Sequence, residues 1–171
     1  QRCSDTRSVN FTDVRVPAAN LVGGSEGGGW FNAMAAFDMS RPNIAAHAVG
    51  VAQSAFEHAL QYSDERETFN KKLHQHQAIQ FMLADMKTKI EAARLLTWKS
   101  ASMADAGLQN TEAAAHAKVF AADTAMQVTT DAVQIYGGYG YSEEYPVARL
   151  MRGAKVIQIY EGSSQVQRMI I

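Results

Sequence analysis

Apolar side chains recur every three or four residues through most of this chain, a spacing that predicts helices with one buried face. The clearest stretch carries Ala45, Val49, Phe56 and Leu60. The predicted segments are a short one near 30–37, then helices starting at 42, 77, 110 or 111, 146 and 164. Long helices joined by short links and sharing alanine-rich faces predict an all-α, up-and-down bundle of the four-helix type.

Proline and glycine residues predict where these helices begin and end. A proline is best tolerated in the first turn of a helix, so Pro42 indicates a break after Asp38, and Arg41 would lie at that joint. The second helix is expected to end near 66–70. The remaining expected stops are Gly107, Gly137–Gly138 and Gly162, and the expected starts are Gln77, Asn110 or Thr111, Pro146, and Ser164 with Gln167 at capping-box spacing.

The first 30 residues follow a different pattern. Residues 9–16 alternate apolar and polar side chains before Pro17, which predicts a short strand or two, or an extended arm. The stretch GGSEGGGW at 23–30 is interpreted as a hinge, because it lacks the lysine followed by a serine or threonine that a phosphate-binding Walker loop needs. The fold prediction is therefore a helical bundle preceded by a short extended or β segment.

Composition narrows the function classes. With 171 residues, of which 47% are hydrophobic, the chain can bury the core of one globular domain. A net charge of -1 gives no basic surface for nucleic acid, and no apolar run reaches the roughly 18 residues of a membrane span. The single cysteine, Cys3, cannot form an internal disulfide, so a reducing compartment is expected.

Three places could carry chemistry. Glu161 follows an apolar run at a helix break, where a partly desolvated carboxylate could act as a general base. Arg41 lies beside Asp38, and residues 134–138 end a helix in two glycines that would let a flat ligand approach the backbone. His74 and His76 do not have metal-site spacing, so no metal is predicted.

The sequence resembles the acyl-CoA dehydrogenase family over essentially its whole length, with the medium-chain members the most similar. The shared motifs occur in family order and are CSDTR, FTDVRVP, AFDMSRP, YSDERETF, HQAIQFMLADM, DAVQIYGGYGY, EYPVARLMRGAK and IYEGSSQVQR. This resemblance implies FAD-dependent α,β-dehydrogenation of an acyl-CoA, expected to be medium-chain, to a trans-2-enoyl-CoA in fatty-acid β-oxidation.

The resemblance also implies roles for individual residues. Glu161 matches the base that removes the α proton, and Gly162 would leave room for the thioester. Relatives that use another base carry an acid immediately before the arginine of AFDMSRP, where this chain has Ser40. Asp38 and Arg41 match substrate-side positions near coenzyme A. Expected FAD contacts across a subunit interface are Arg66, Thr68, Phe69, His76, Gln77, Gln134, Ile135, Tyr136, Gly137 and Gly138, and expected contacts to the FAD of the same active site are Ser163, Ser164 and Gln165.

The family context adds expectations about the whole protein. Residues 1–23 are interpreted as the tail of a middle β domain and 24–171 as the C-terminal helical domain, so the chain alone is not expected to be a complete catalyst. The resemblance implies a homotetramer that passes its electrons to the electron-transferring flavoprotein. It also implies a location in the mitochondrial matrix, with a bacterial cytoplasm as the alternative. Two other functions stay open: a non-catalytic helical oligomerisation module, and an acyl-CoA oxidase.

Overall fold

A computed structural model describes residues 7–171 of the chain, and its architecture is an all-α bundle, as predicted. The helices are α1 (Gly29–Glu65), α2 (Gln77–Asp105), α3 (Thr111–Tyr136), α4 (Pro146–Ile157) and α5 (Ser164–Ile170). Short 3-10 turns lie at Ala18–Asn20, Leu73–Gln75 and Gly137–Tyr141. The predicted starts at Gln77, Thr111 and Pro146 are confirmed. Pro146 occupies the first helical position, where its missing N–H costs no hydrogen bond, whereas no side chain caps the start of α2 or α3.

Helix α3 is the centre of the bundle and packs against the other four helices. Its buried face is formed largely of alanine, and these small side chains let neighbouring helices approach closely. The fully buried alanines of α3 are Ala114, Ala115, Ala117, Ala121, Ala122, Ala125 and Ala132. Larger side chains from α2 and α4, among them Met86, Ile90 and Ile157, complete the core.

The predicted break at Asp38–Pro42 is wrong, since α1 is one continuous helix with Pro42 inside it. Proline has no N–H, so it cannot donate to the carbonyl oxygen of Asp38 four residues earlier. The side-chain amide of Asn110, at the start of α3, donates to that oxygen instead, at 3.2 Å. A partner distant in sequence thus satisfies the group that the proline leaves open, and the helix continues.

A two-stranded hairpin connects α1 to α2, where sequence reasoning expected only the end of a helix. Strand β1 (Glu67–Thr68) pairs antiparallel with β2 (Lys71–Lys72), with Glu67 opposite Lys72 and Thr68 opposite Lys71. The two tip residues, Phe69 and Asn70, have φ of +52° and +60°. Paired positive φ values are what tight two-residue hairpin turns require, and asparagine tolerates them better than most residues.

The segment before α1 contains no strand within residues 7–28, so a β segment does not form in that range. Val9, Phe11, Val14 and Val16 are all largely exposed there. Cys3 and the CSDTR motif lie outside or at the edge of the described residues. No helix within 7–171 combines the length and the apolar character that crossing a membrane would take.

The last turn of the chain differs from the predicted capping box. Helix α5 begins at Ser164, and its N-cap is Ser163, whose hydroxyl oxygen accepts a hydrogen bond from the backbone N–H of Val166 at 3.3 Å. The capping residue therefore lies one position before the one predicted. Ser164 is buried, and its hydroxyl is used elsewhere.

Candidate functional site

Glu161 lies in the turn that joins α4 to α5, where it is half-buried. Its backbone has φ of +57°, in the left-handed region, and Gly162 follows with φ of +85°. The carboxylate leaves this turn toward α1 and accepts a hydrogen bond from the hydroxyl of Ser40 at 2.6 Å. The family resemblance places the acidic residue that serves as catalytic base at one of two positions, which are Glu161 and Ser40 in this chain. The fold brings these two residues into contact.

Asp38 and Arg41 form a tight cluster on the same stretch of α1. Their side chains make an ion pair at 3.1 Å, and the other carboxylate oxygen of Asp38 accepts a hydrogen bond from the Thr111 hydroxyl at 2.5 Å. Arg41 is only 4% exposed, and its guanidinium also lies 5.5 Å from the ring centre of Phe37. The Nε of Arg41 is buried without a hydrogen-bond partner among the described residues. This pair therefore joins α1 to α3 rather than projecting into solvent.

Two functional candidates that sequence reasoning missed lie behind Glu161. Lys118 of α3 is fully buried, and its Nζ donates to the carbonyl oxygen of Gly162 at 2.6 Å. Gln167 of α5, also fully buried, donates from Nε2 to the carbonyl oxygens of Glu161 and Gly162, at 3.1 and 3.0 Å. The available signal was a lysine within the alanine-rich face of α3, where a charged residue has no place by periodicity alone.

A groove of about 480 Å³ gathers several of the residues predicted to contact FAD across a subunit interface. Arg66, Thr68, Ile135, Tyr136, Gly137 and Gly138 line it. A side chain added at Gly137 or Gly138 would meet no atom within 4 Å, so both glycines present open backbone. Gly137 also has φ of +60°, a conformation that favours glycine. The groove thus offers an arginine, a hydroxyl and bare backbone to a ligand.

The hairpin positions further groups at the edge of this groove. Nε2 of His76 lies 3.3 Å from the Thr68 hydroxyl and 3.2 Å from the Thr68 carbonyl oxygen. The guanidinium of Arg66 lies 5.6 Å from the ring centre of Tyr139. Phe69, at the hairpin tip, is 92% exposed. The remaining predicted contacts, Gln77 at the first position of α2 and Gln134 near the end of α3, are exposed.

A second groove, of about 380 Å³, contains Ser163, Ser164 and Gln165 together. Its polar centre is Asp123 of α3, which accepts hydrogen bonds from Arg168 at 2.6 Å, Gln158 at 2.7 Å and Ser164 at 2.9 Å. Burial alone would raise the pKa of Asp123, but these three hydrogen bonds outweigh it and hold the pKa below its ordinary value. Asp123 therefore remains a carboxylate that anchors α5 to α3.

The predicted site residues thus form three groups. Glu161, Gly162, Asp38 and Arg41 come together where α1, α3 and the α4–α5 turn meet. Six of the ten predicted contacts of one flavin set line one groove, and all three contacts of the other set line a different groove. This separation is compatible with the expectation that each set contacts a different FAD.

The fold and this centre define an all-α domain with a candidate acid–base residue. The chain belongs to the acyl-CoA dehydrogenase family: the family model described as acyl-CoA dehydrogenase, C-terminal domain, matches residues 27–171. The assignment of 1–23 to a preceding β domain stays a prediction.

Named relatives agree with this family assignment. The chain is 52% identical over 171 residues to cyclohexane-1-carbonyl-CoA dehydrogenase of Geobacter metallireducens, covering all of this chain and 45% of that protein. It is 53% identical over 167 residues to a short-chain-specific acyl-CoA dehydrogenase of Megasphaera elsdenii, covering 98% of this chain and 43% of the relative. The solved butyryl-CoA dehydrogenase of Megasphaera elsdenii superposes with a TM-score of 0.92 at 54% identity, over 94% of this chain and 42% of that one.

The chain therefore spans less than half the length of the curated relatives that it matches. These relatives are bacterial, and their names refer to short-chain and cyclic acyl groups. The similarity to medium-chain members that the motifs suggested is not tested by them and stays a prediction.

Proposed function

We propose that this chain supplies the catalytic base and part of the FAD site of an acyl-CoA dehydrogenase, which converts an acyl-CoA to a trans-2-enoyl-CoA. The observation that carries the proposal is the 2.6 Å hydrogen bond between Ser40 and the carboxylate of Glu161. By the family resemblance, a base belongs at one or the other of these positions. Their contact indicates a single place where a carboxylate would meet the substrate.

In this proposal Glu161 removes the proton from the carbon α to the thioester. The Ser40 hydroxyl, itself positioned on α1, holds the carboxylate in one orientation, which is the main structural requirement for general-base catalysis. By the family resemblance Gly162 would lie beside the thioester; Nε2 of Gln167 fills the side on which a Cβ would project, so the thioester would lie against the other side of this backbone. The thioester carbonyl would be polarised by a backbone N–H of the turn, since stabilising the developing enolate makes the α proton removable.

FAD, when bound, supplies the acceptor for the hydride from the β carbon. The groove with Arg66, Thr68, Gly137 and Gly138 suits part of such a cofactor, because a cation, a hydroxyl and open backbone can bind phosphate and ribose groups. The other contacts to this FAD would come from Phe69, His76, Gln77, Gln134, Ile135 and Tyr136. A second FAD would be bound in part by Ser163, Ser164 and Gln165. We expect the two to belong to neighbouring subunits of a homotetramer.

Asp38 and Arg41 are proposed to act on the substrate side as a rigid pair. Arg41 is almost fully buried and shares Asp38 with Thr111, so its charge is oriented before any ligand arrives. By the family resemblance the pair would lie near the coenzyme A portion; since Asp38 neutralises Arg41, the pair would contribute shape and orientation rather than net attraction for an anion.

Three further points complete the proposal. The electron acceptor would be the electron-transferring flavoprotein, and the reaction would be a step of fatty-acid β-oxidation. The location would be a bacterial cytoplasm rather than the mitochondrial matrix, which the bacterial relatives favour.

The decisive experiment is titration of the full-length flavoprotein with butanoyl-, octanoyl- and dodecanoyl-CoA while flavin absorbance is recorded. Wild-type flavin is expected to bleach with the preferred chain length, and Glu161→Gln is expected to slow bleaching by about 10²- to 10⁴-fold. Glu144→Gln, an exposed acid between α3 and α4, is the matched control and should bleach normally. Bleaching of Glu161→Gln at the wild-type rate would overturn the proposal, and rapid reoxidation by oxygen would favour an oxidase.

A further inference from the structure

Two buried side chains hold the turn that carries Glu161. Nζ of Lys118 donates to the Gly162 carbonyl oxygen at 2.6 Å, and Nε2 of Gln167 donates to the carbonyl oxygens of Glu161 and Gly162 at 3.1 and 3.0 Å. Both side chains are 0% exposed. The donors come from different helices, α3 and α5, so the turn is fixed to both of them.

The conformation of this turn needs such support. Glu161 has φ of +57°, a region that disfavours residues with a Cβ, and Gly162 follows at +85°. A Cβ added at Gly162 would lie 2.7 Å from Nε2 of Gln167, which shows how closely the amide packs on the turn. A non-glycine residue stays in the left-handed region only where its surroundings determine it. Here the two donors add to the backbone hydrogen bond from the Ser164 N–H to the Gln158 carbonyl oxygen, at 2.9 Å, which closes the turn.

The burial of Lys118 is unfavourable for stability, because its charged group is removed from water. This residue lies on α3 among fully buried alanines such as Ala114, Ala121 and Ala122, where an apolar side chain would avoid the desolvation of an ammonium group. Burial lowers the pKa of Lys118 to about 8; Asp123 raises it, Arg41 lowers it and Glu161 raises it by smaller amounts. At neutral pH the group is still mainly an ammonium, a strong donor for the Gly162 carbonyl.

We infer that Lys118 and Gln167 are positioning residues for Glu161, which keep its carboxylate at Ser40 by fixing the two carbonyl groups of the turn. Since each peptide unit is planar, holding the carbonyl oxygens of Glu161 and Gly162 fixes the two peptide planes that flank the Gly162 Cα, and the first of these planes also contains the Cα of Glu161. The carboxylate then meets the α proton in one geometry. This inference rests on the proposed function of Glu161, and it assigns a catalytic purpose to two residues that never touch the substrate.

The test uses full-length holoenzyme and the rate of flavin reduction per bound FAD, with acyl-CoA as the probe. Lys118→Met and Gln167→Met each remove a donor while keeping similar volume, and Lys99→Met, on the exposed side of α2, is the control. We expect each test variant to lose at least about tenfold in reduction rate, because small displacements of a catalytic group cost that much or more. Acyl-CoA affinity should change far less, and the isotope effect with α-deuterated substrate should rise.

The two positions are expected to be coupled, since both donors serve the Gly162 carbonyl. The double variant should therefore lose less than the product of the single losses. Unchanged reduction rates per bound FAD in both single variants would overturn the inference, even if their thermal stability fell. If Lys118→Met fails to retain FAD, Gln167→Met decides the question, because it removes no charge.

The outcomes also separate this inference from the proposed function. If Glu161→Gln bleaches like wild type, Glu161 is not the base and the proposed function fails. If Glu161→Gln is inactive while Lys118→Met and Gln167→Met reduce flavin at the wild-type rate, only the positioning role fails.

Discussion

The hydrogen bond from Asn110 to the carbonyl oxygen of Asp38 explains why α1 continues through Pro42, and this explanation can be tested directly. That oxygen lies one helical turn before a proline that cannot donate to it, and Asn110 Nδ2 donates to it at 3.2 Å. Asn110 is 6% exposed, so water cannot readily replace its amide. We expect Asn110→Ala to lower the free energy of unfolding by about 1 to 3 kcal/mol, the cost of leaving a buried acceptor unsatisfied.

A second substitution isolates the proposed cause. Pro42→Ala introduces a backbone N–H one turn after Asp38, so the helix itself can satisfy the Asp38 oxygen. In that background we expect Asn110→Ala to cost about 1 kcal/mol less than in the wild type. Some cost remains, because Asn110 also donates to the Ser100 carbonyl oxygen at 3.4 Å.

Urea unfolding of the full-length protein, followed by far-UV circular dichroism at fixed protein and FAD concentrations, measures these energies. Asn43→Ala is the control: this exposed asparagine is next to Pro42 and should change stability by no more than about 0.5 kcal/mol. Equal costs of Asn110→Ala in the wild-type and Pro42→Ala backgrounds would refute the reasoning, since the amide would then not be replacing the missing N–H.

Three further predictions concern the turn and its neighbours. Burial lowers the pKa of Lys118 from 10.5 to about 8, so between these pH values the folded state has lost a proton that the unfolded state still binds. As pH rises from 8 to 10.5, the wild type should therefore gain up to about 3 kcal/mol of stability relative to Lys118→Met, and a pH-independent difference in unfolding titrations would contradict this. Gly162→Ala forces a Cβ to within 2.7 Å of a buried amide nitrogen at φ of +85°, so it should cost about 1 to 3 kcal/mol in urea, whereas Gly50→Ala, in open space on α1, should be neutral or stabilising. Ser40→Ala should slow flavin reduction, measured by stopped-flow absorbance, roughly tenfold because the Glu161 carboxylate loses its hydrogen bond, whereas Ser40→Thr should retain most of the rate. Equal rates for the alanine and threonine variants would argue against orientation of the carboxylate by the hydroxyl.

Local signals in the sequence were sufficient for most of the helices. Gln77, Thr111 and Pro146 begin helices as predicted, and Gly107 and Gly137 follow the ends of α2 and α3. At Pro146 the signal is a missing N–H in the first turn, and at Gly107 and Gly137 it is a positive φ that glycine accepts. Such effects need no knowledge of the rest of the fold.

The errors at Pro42 and at the hairpin have different causes. Pro42 did not interrupt α1, because Asn110 satisfies the carbonyl that the proline leaves free. The hairpin at 67–72 depends on cross-strand pairing, which the apolar pattern of so short a segment does not encode. Only the first error therefore comes from a tertiary contact, since the hairpin joins residues that are three and five positions apart.

The position of Glu161 at a break between two helices can be predicted from the sequence alone, because the glycine and the apolar run beside it act locally. The hydrogen bond of this carboxylate with Ser40, and those that Lys118 and Gln167 donate to the turn, become visible only in the folded chain. Contacts of this kind depend on how α1, α3 and α5 pack, and packing follows from the shapes of whole helix faces rather than from any short motif.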